Sequence, residues 1–198
     1  CGTMNAQDAD LKKRMKDADP KVIGTRIVNK FLITPHTRFG NPRAEKAPNY
    51  VTYPDACTWL GALWFSKAVK NKDMQQRLKV HVDYNVVGAV PLEIYMQKFG
   101  DRKYFHLGMK YADTQWEVPV DAKPEEKAYA GQGYSWQPRV WIDDMFMITT
   151  IQSQAYLATG DRKYIDRAAA EMAMYLEKIQ RPNGLFYHAP TAPFFWAR

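Results

Sequence analysis

Two adjacent carboxylates stand inside an apolar run at Trp141-Ile142-Asp143-Asp144-Met145-Phe146-Met147, the segment best suited to chemistry in this chain. A carboxylate amid that much apolar surface is costly unless it is partnered or used. Two carboxyls facing each other across a pocket can have their pKa values pushed apart, so that one donates a proton while the other stays ionised. That division of labour is general acid–base catalysis near neutral pH. Asp143 is the first candidate and Asp83 the second, whereas Asp144 reads as facing the turn and capping the helix. Among the four histidines, His188 follows Phe186-Tyr187 after a Gly turn, on a loop, where functional residues concentrate. His81, two residues from Asp83, suits a supporting hydrogen bond at least as well as a direct role, and His36 and His106 read as structural or solvent-facing. Phe194-Phe195-Trp196 and then Arg198 offer a face for stacking a sugar ring and a fork for a carboxylate, or else form a plain aromatic cluster.

The elements that must position these residues are helices. Gly100-Asp101-Arg102-Lys103-Tyr104 recurs as Gly160-Asp161-Arg162-Lys163-Tyr164, 60 residues later. Each copy lies between two apolar helical patterns, 86–98 and 105–115 in the first and 145–158 and 165–179 in the second. The pentapeptide is therefore expected to be the turn of an αα-hairpin, with Asp161 at the N-cap of a helix whose apolar stripe is Ile165, Ala168, Ala169, Met172, Leu176 and Ile179. The same offset puts Asp83 in register with Asp143, and a shorter one of 28 pairs Asp55 with Asp83 and Asp73 with Asp101. Asp55, which follows Pro54, suits a cap better than chemistry. Asp19-Pro20 marks another helix start, and a charged helix fits Leu11 to Lys16. Pro35 to Pro54, with four prolines and Gly40, reads as a long loop.

Repeated αα-hairpins stack into an open solenoid or close into a toroid with an inner helical ring. Trp59, Trp64 and Phe65 in one helix, and Trp141, Met145, Phe146 and Met147 in another, crowd the whole circumference with large side chains, which favours an inner ring buried on all sides. In such a ring Asp55, Asp83 and Asp143 converge on one mouth. Strand signals are confined to Val118-Pro119-Val120 and Gly184 to Tyr187, so the class is all-α.

Composition narrows the function classes. The 198 residues include 46% hydrophobic and 25% charged side chains, which excludes a disordered tail and a coiled coil. No apolar run approaches the roughly 20 residues needed to cross a bilayer. Lys and Arg number 28 against 21 Asp and Glu, a net charge of +7 that favours an anionic partner. Seven basic residues between Lys12 and Lys30 read as a solvated helix face, and with no zinc spacing, RNP motif or basic-aromatic strip, nucleic acid is not the expected partner. Two cysteines are too few for a disulfide framework, and no Cys/His cluster suggests a metal. Cys57, beside Trp59 and Leu60, reads as a buried small hydrophobe. Cys1-Gly2-Thr3 before a polar stretch is similar to the start of a bacterial lipoprotein after signal cleavage, so the expected location is the periplasm or cell surface, with the cytoplasm as alternative.

Four motifs in order carry a family resemblance: Trp141 to Met147; Gln154 to Asp161 with Tyr164; Pro182 to His188; and Phe195 to Arg198. Together with Val82-Asp83 through Gly88 to Leu92 and Tyr95, they resemble the unsaturated glucuronyl and rhamnogalacturonyl hydrolases, glycoside hydrolase families 88 and 105, the second more closely. The resemblance covers roughly residues 50 to 198. It implies an α/α toroid of six hairpins, of which this chain carries about the first half, as a flexible segment 1–19 and a C-terminally incomplete toroid domain 20–198. It implies removal of a 4,5-unsaturated uronic acid from the non-reducing end of oligosaccharides left by polysaccharide lyases, as in pectin degradation. No cofactor or metal is implied. By motif position Asp143 matches the general acid/base, Asp83 the second acid, His188 a site histidine, and Trp196 and Arg198 substrate-binding positions. Trp141 joins the substrate-binding set, and Arg139 or Gln137 stands where many members have a His shortly before the Trp-x-Asp motif. The expected partners are an acidic unsaturated oligosaccharide and either the remainder of the toroid or a second copy covering the exposed inner helices. A non-catalytic helical-hairpin scaffold or glycan-binding module is the competing reading, and a toroid epimerase or lyase is a third.

Overall fold

The structure, a computed structural model, describes residues 15, 18–34, 53–79, 88–99, 101–137 and 139–191. Among the described residues it is all-helical apart from one isolated antiparallel bridge between Gln180 and Phe186. The Leu11 to Lys16 helix apart from Met15, most of the 35–54 loop, Asp83, His36, His81, Trp196 and Arg198 lie outside the described residues. No helix among the described residues is long and apolar enough to cross a membrane. The chain divides into two compact units, 1–86 and 87–198.

In the first unit, α1 (Pro20–Ile33) packs on α2 (Tyr53–Ala68), which packs on α3 (Lys72–Lys79). Asp19 caps α1 as expected, its carboxylate accepting from the Lys21 backbone N–H at 2.7 Å ahead of Pro20 in the first turn. Gly24 lets α1 approach closely, because a Cβ there would run into the Phe65 ring of α2. Asp55 lies within the first turn of α2, buried, and Trp59 is fully buried with its indole N–H donating to the Leu78 carbonyl at 2.8 Å. Cys57 is half-buried and lines the cleft between α1 and α2. Asp73 does not repeat the role of Asp101. It sits inside α3, exposed and paired with Arg77, and Asn71 accepts from the Met74 backbone N–H instead.

The second unit holds α4 (Val90–Ile94), continued by the π-helical turn Tyr95–Phe99, then α5 (Arg102–Thr114), α6 (Pro124–Gly131), α7 (Ile142–Thr159) and α8 (Arg162–Ile179). The two pentapeptide copies do the same structural work. The Asp101 carboxylate accepts from the Lys103 backbone N–H, and Asp161 from that of Lys163, both at 3.0 Å. Tyr104 and Tyr164 turn inward behind them, and Gly160 ends α7 in the left-handed region at φ 73°. Helices α7 and α8 form one antiparallel hairpin, and α7 also packs on α5 and α4. Polar side chains stitch that packing: Gln152 donates to the Ala112 carbonyl and to Gln115, and Gln154 donates to the buried Glu93.

Two helix faces differ from the expectation. The buried face of α8 is Tyr164, Ala168, Glu171, Met174, Tyr175 and Ile179, about one residue round from the expected stripe, and Met172 and Leu176 are partly exposed. The tyrosines and the buried Glu171 fill the inward positions. Burial of the aromatic helices is also partial, since Trp64 and Phe146 are each 41% exposed.

Candidate functional site

The start of α7 and the tail after α8 meet because the hairpin is antiparallel, which brings the last turn of α8 beside the first turn of α7. Behind this junction Val140, Met174, Tyr175 and Ile179 form a buried cluster, flanked by Ile142, Met145, Phe186 and Tyr187. After Ile179 the chain reverses through Pro182-Asn183-Gly184, with Gly184 at φ 83°, where a side chain would be strained. The Arg181 N–H donates to the Leu185 carbonyl at 2.8 Å and the Tyr187 N–H to the Ile179 carbonyl at 2.9 Å, closing the turn. The next residue is His188. Its carbonyl accepts from the Ile142 N–H at 2.9 Å, so the tail satisfies one of the free donors at the start of α7.

Trp141 occupies the N-cap position of α7, and Asp143 and Asp144 both fall in its first turn, where the helix dipole favours negative charge. They are one and two residues inside the helix. Asp143 Oδ2 lies 3.6 Å from His188 Nδ1, an ion pair when the imidazole is protonated. The Asp143 side chain keeps 22% of its surface exposed and that of His188 only 7%, so a small molecule reaches the carboxylate first. The Trp141 ring leans on the His188 imidazole at 5.0 Å between centroids, and the Arg139 guanidinium sits 4.8 Å from the Trp141 centroid. Asp144 holds Arg139, accepting from its backbone N–H at 3.1 Å and from Nη2 at 2.6 Å. This contact raises the guanidinium's already high pKa, with the hydrogen bond to Asp144 as the largest cause.

The loop that delivers Arg139 and Trp141 is strained. Val140 has φ 58°, a conformation that a β-branched residue adopts at a cost on the order of 1–3 kcal/mol. Its burial in the cluster with Tyr175 helps to hold it there.

Four of the expected site residues, Arg139, Trp141, Asp143 and His188, are thus brought together, although His188 is 45 residues beyond Asp143 in the chain. Asp83, Trp196 and Arg198 lie outside the described residues. His106 is exposed, on α5. Reading of the residues did not single out Glu171 or Ser135, which meet behind the site: the Ser135 N–H donates to Glu171 Oε2 at 3.1 Å. No sequence pattern announces that contact, since Glu171 occurs in a helix already rich in charge. Among the described residues no group of three or more His, Cys, Asp or Glu side chains is placed to hold a metal ion. The arrangement can exchange a proton at Asp143, with an imidazole beside it and an aromatic-guanidinium stack for a polar ring. No family model, curated protein or solved structure matches the chain.

Proposed function

We propose that the protein is a glycoside hydrolase that releases a 4,5-unsaturated uronic acid from the non-reducing end of lyase-generated oligosaccharides by hydrating the C4=C5 bond. The α/α toroid belongs to this reading, supported by two hairpin turns built alike around Asp101 and Asp161. The observation that carries it is the 3.6 Å approach of Asp143 to His188 within the stack of Arg139, Trp141 and His188, because it joins two motifs whose likeness to families 88 and 105 was separate in sequence.

The alkene is an enol ether, so its C4 carbon is basic. The Asp143 carboxylic acid donates its proton to C4, leaving an oxocarbenium-like centre at C5 beside the ring oxygen. The resulting carboxylate takes a proton from the water that adds to C5, which restores the acid. The product is a hemiketal; it opens, and the sugar rearranges off the aglycone. His188, 3.6 Å away, stabilises the carboxylate phase when protonated. Trp141 stacks on the sugar, and Arg139 and Arg198 address acidic groups, while Asp83 holds hydroxyls as the second acid. The net charge of +7 suits an acidic substrate.

The test is the ultraviolet absorbance of an unsaturated uronyl disaccharide. This reading expects decay that disappears in Asp143→Asn. A binding module leaves the absorbance constant and a lyase raises it; full rate in Asp143→Asn removes the catalytic assignment.

A further inference from the structure

Glu171 is fully buried, on the inward face of α8, and only one of its oxygens is used: Oε2 accepts from the Ser135 N–H, while Oε1 has no hydrogen-bond partner among the described residues. Ser135 is also fully buried, and its Oγ accepts from the Gln137 N–H at 3.1 Å. Trp136 is tied on the other side, its indole N–H donating to the Thr114 carbonyl at 2.7 Å. The chain then passes through strained Val140 to Trp141. One carboxyl therefore anchors the near end of the strained loop whose far end carries Arg139 and Trp141 into the site.

We infer that Glu171 is a positioning residue, a proton-dependent latch whose neutral form holds Ser135, and with it the described loop residues 135–137 and 139–141, in the arrangement that sets Arg139 and Trp141 beside Asp143 and His188. The importance of those four rests on the proposed function; the latch does not. No cation is assigned to Glu171. Asp144 on α7 repels its charge, and Tyr175 lies one turn further along α8. Arg139 of the loop is engaged by Asp144, and Tyr129 of α6 acts on Tyr175. Burial, followed by the opposing Ser135 hydrogen bond and the repulsion from Asp144, leaves the carboxyl with a pKa of about 7. A glutamine would accept the same N–H at every pH, and an apolar residue would not accept it at all. Only a carboxyl makes the contact sensitive to protons.

Opening the loop hydrates Glu171 and returns it to its ordinary value of 4.5. Closure is therefore firmest below that pH. Opening becomes about tenfold easier per pH unit up to about pH 7 and then levels off.

Amide hydrogen exchange at Ser135, corrected for the intrinsic rate, reads the latch in the whole chain without substrate. Wild-type protection is expected to fall by one to two orders of magnitude or more between pH 4.5 and 7, and to stay level in Glu171→Gln. Protection that is flat in the wild type, or that falls equally in both, overturns the latch. If Glu171→Gln does not fold, the wild-type Ser135 amide shift decides: a midpoint near 7 supports the latch, and a midpoint below 5 or none overturns it. For turnover of the unsaturated disaccharide, KM in wild type rises with pH over this range more than in Glu171→Gln. A titrating Ser135 amide in a protein without turnover removes the proposed reaction and keeps the latch, whereas turnover with a pH-invariant amide does the reverse.

Discussion

Arg139 is held by Asp144 at both its backbone and its side chain: the N–H and Nε each lie 3.1 Å from Oδ2, and Nη2 lies 2.6 Å from Oδ1. The pair crosses the start of α7, so a carboxylate in the helix fixes the loop that precedes it. The neighbouring acid, Asp143, approaches His188 at 3.6 Å. Two adjacent residues of one type therefore make different contacts, Asp144 with Arg139 and Asp143 with His188.

Removing either partner separates affinity from stability. The Arg139 side chain is 61% exposed, so Arg139→Ala costs the fold less than about 1 kcal/mol. Asp144→Ala also strands the Arg139 N–H and costs roughly 1–2 kcal/mol. In the proposed reaction both raise KM by roughly tenfold or more, because the guanidinium and Trp141 lose their placement. Arg139→Lys keeps the charge without the fork and does not rescue. Urea unfolding and Michaelis kinetics on the disaccharide check this; an unchanged KM in both alanine variants removes Arg139 from the binding surface.

What could be read from the residues depended on how local the physics was. Capping by Asp19 and Asp161 and the αα-hairpin turns follow from contacts within three residues, and they stand as expected. α7 starts three residues earlier than the apolar pattern suggests because Trp141, with no capping side chain, takes the N-cap position, its neighbour's N–H being satisfied from His188 instead. The face of α8 was misplaced because an amphipathic pattern assigns Glu to solvent, and only a backbone donor 36 residues earlier, at Ser135, explains a buried one. Asp73 shared a spacing with Asp101 but not a role, since Asn71 sits nearer to the donors of α3. Asp143 and His188 were each legible from composition and loop position; their approach required the antiparallel hairpin.

The repeated aspartates are expected to be interchangeable in their effect. Asp101→Ala and Asp161→Ala each remove a side-chain acceptor for a first-turn N–H and should cost about 1 kcal/mol, with Asn in place of Ala costing little. Chemical denaturation of the four variants measures this. A loss confined to turnover, with stability intact, would instead make the repeat part of the chemistry.

Gly108 sets the approach of α5 to α4. Alanine at a helix interior ordinarily gains about 1 kcal/mol over glycine. Here a Cβ would collide with the Leu92 side chain and lie 3.2 Å from the Leu92 backbone nitrogen, and Leu92 is fully buried with no room to move aside. Overpacking of this kind costs roughly 1–3 kcal/mol, so the clash wins and Gly108→Ala is destabilising. Gly61, with open space where its Cβ would stand, is the control: Gly61→Ala in α2 should gain stability. Thermal unfolding that ranks the two variants in the opposite order refutes the packing argument.

Glu171 should also mark the global stability of the fold, with a sign opposite to that of most carboxylates. Its folded pKa is raised, to about 7 from 4.5, so between those values the folded chain binds a proton that the unfolded chain has released. Stability then falls as pH rises through the interval, because the unfolded state binds fewer protons. Below 4.5 both states are protonated and above about 7 both are ionised, so the contribution is level outside the window. Two and a half units correspond to roughly 3 kcal/mol as an upper scale. Glu171→Gln keeps an acceptor for the Ser135 N–H and never ionises. It should therefore be no more stable than wild type at pH 4.5 and more stable at pH 8, with the gap opening across the window. Urea midpoints of the two proteins at both pH values give that gap directly, the other carboxylates cancelling in the difference. A gap that stays constant means that Glu171 keeps one protonation state throughout.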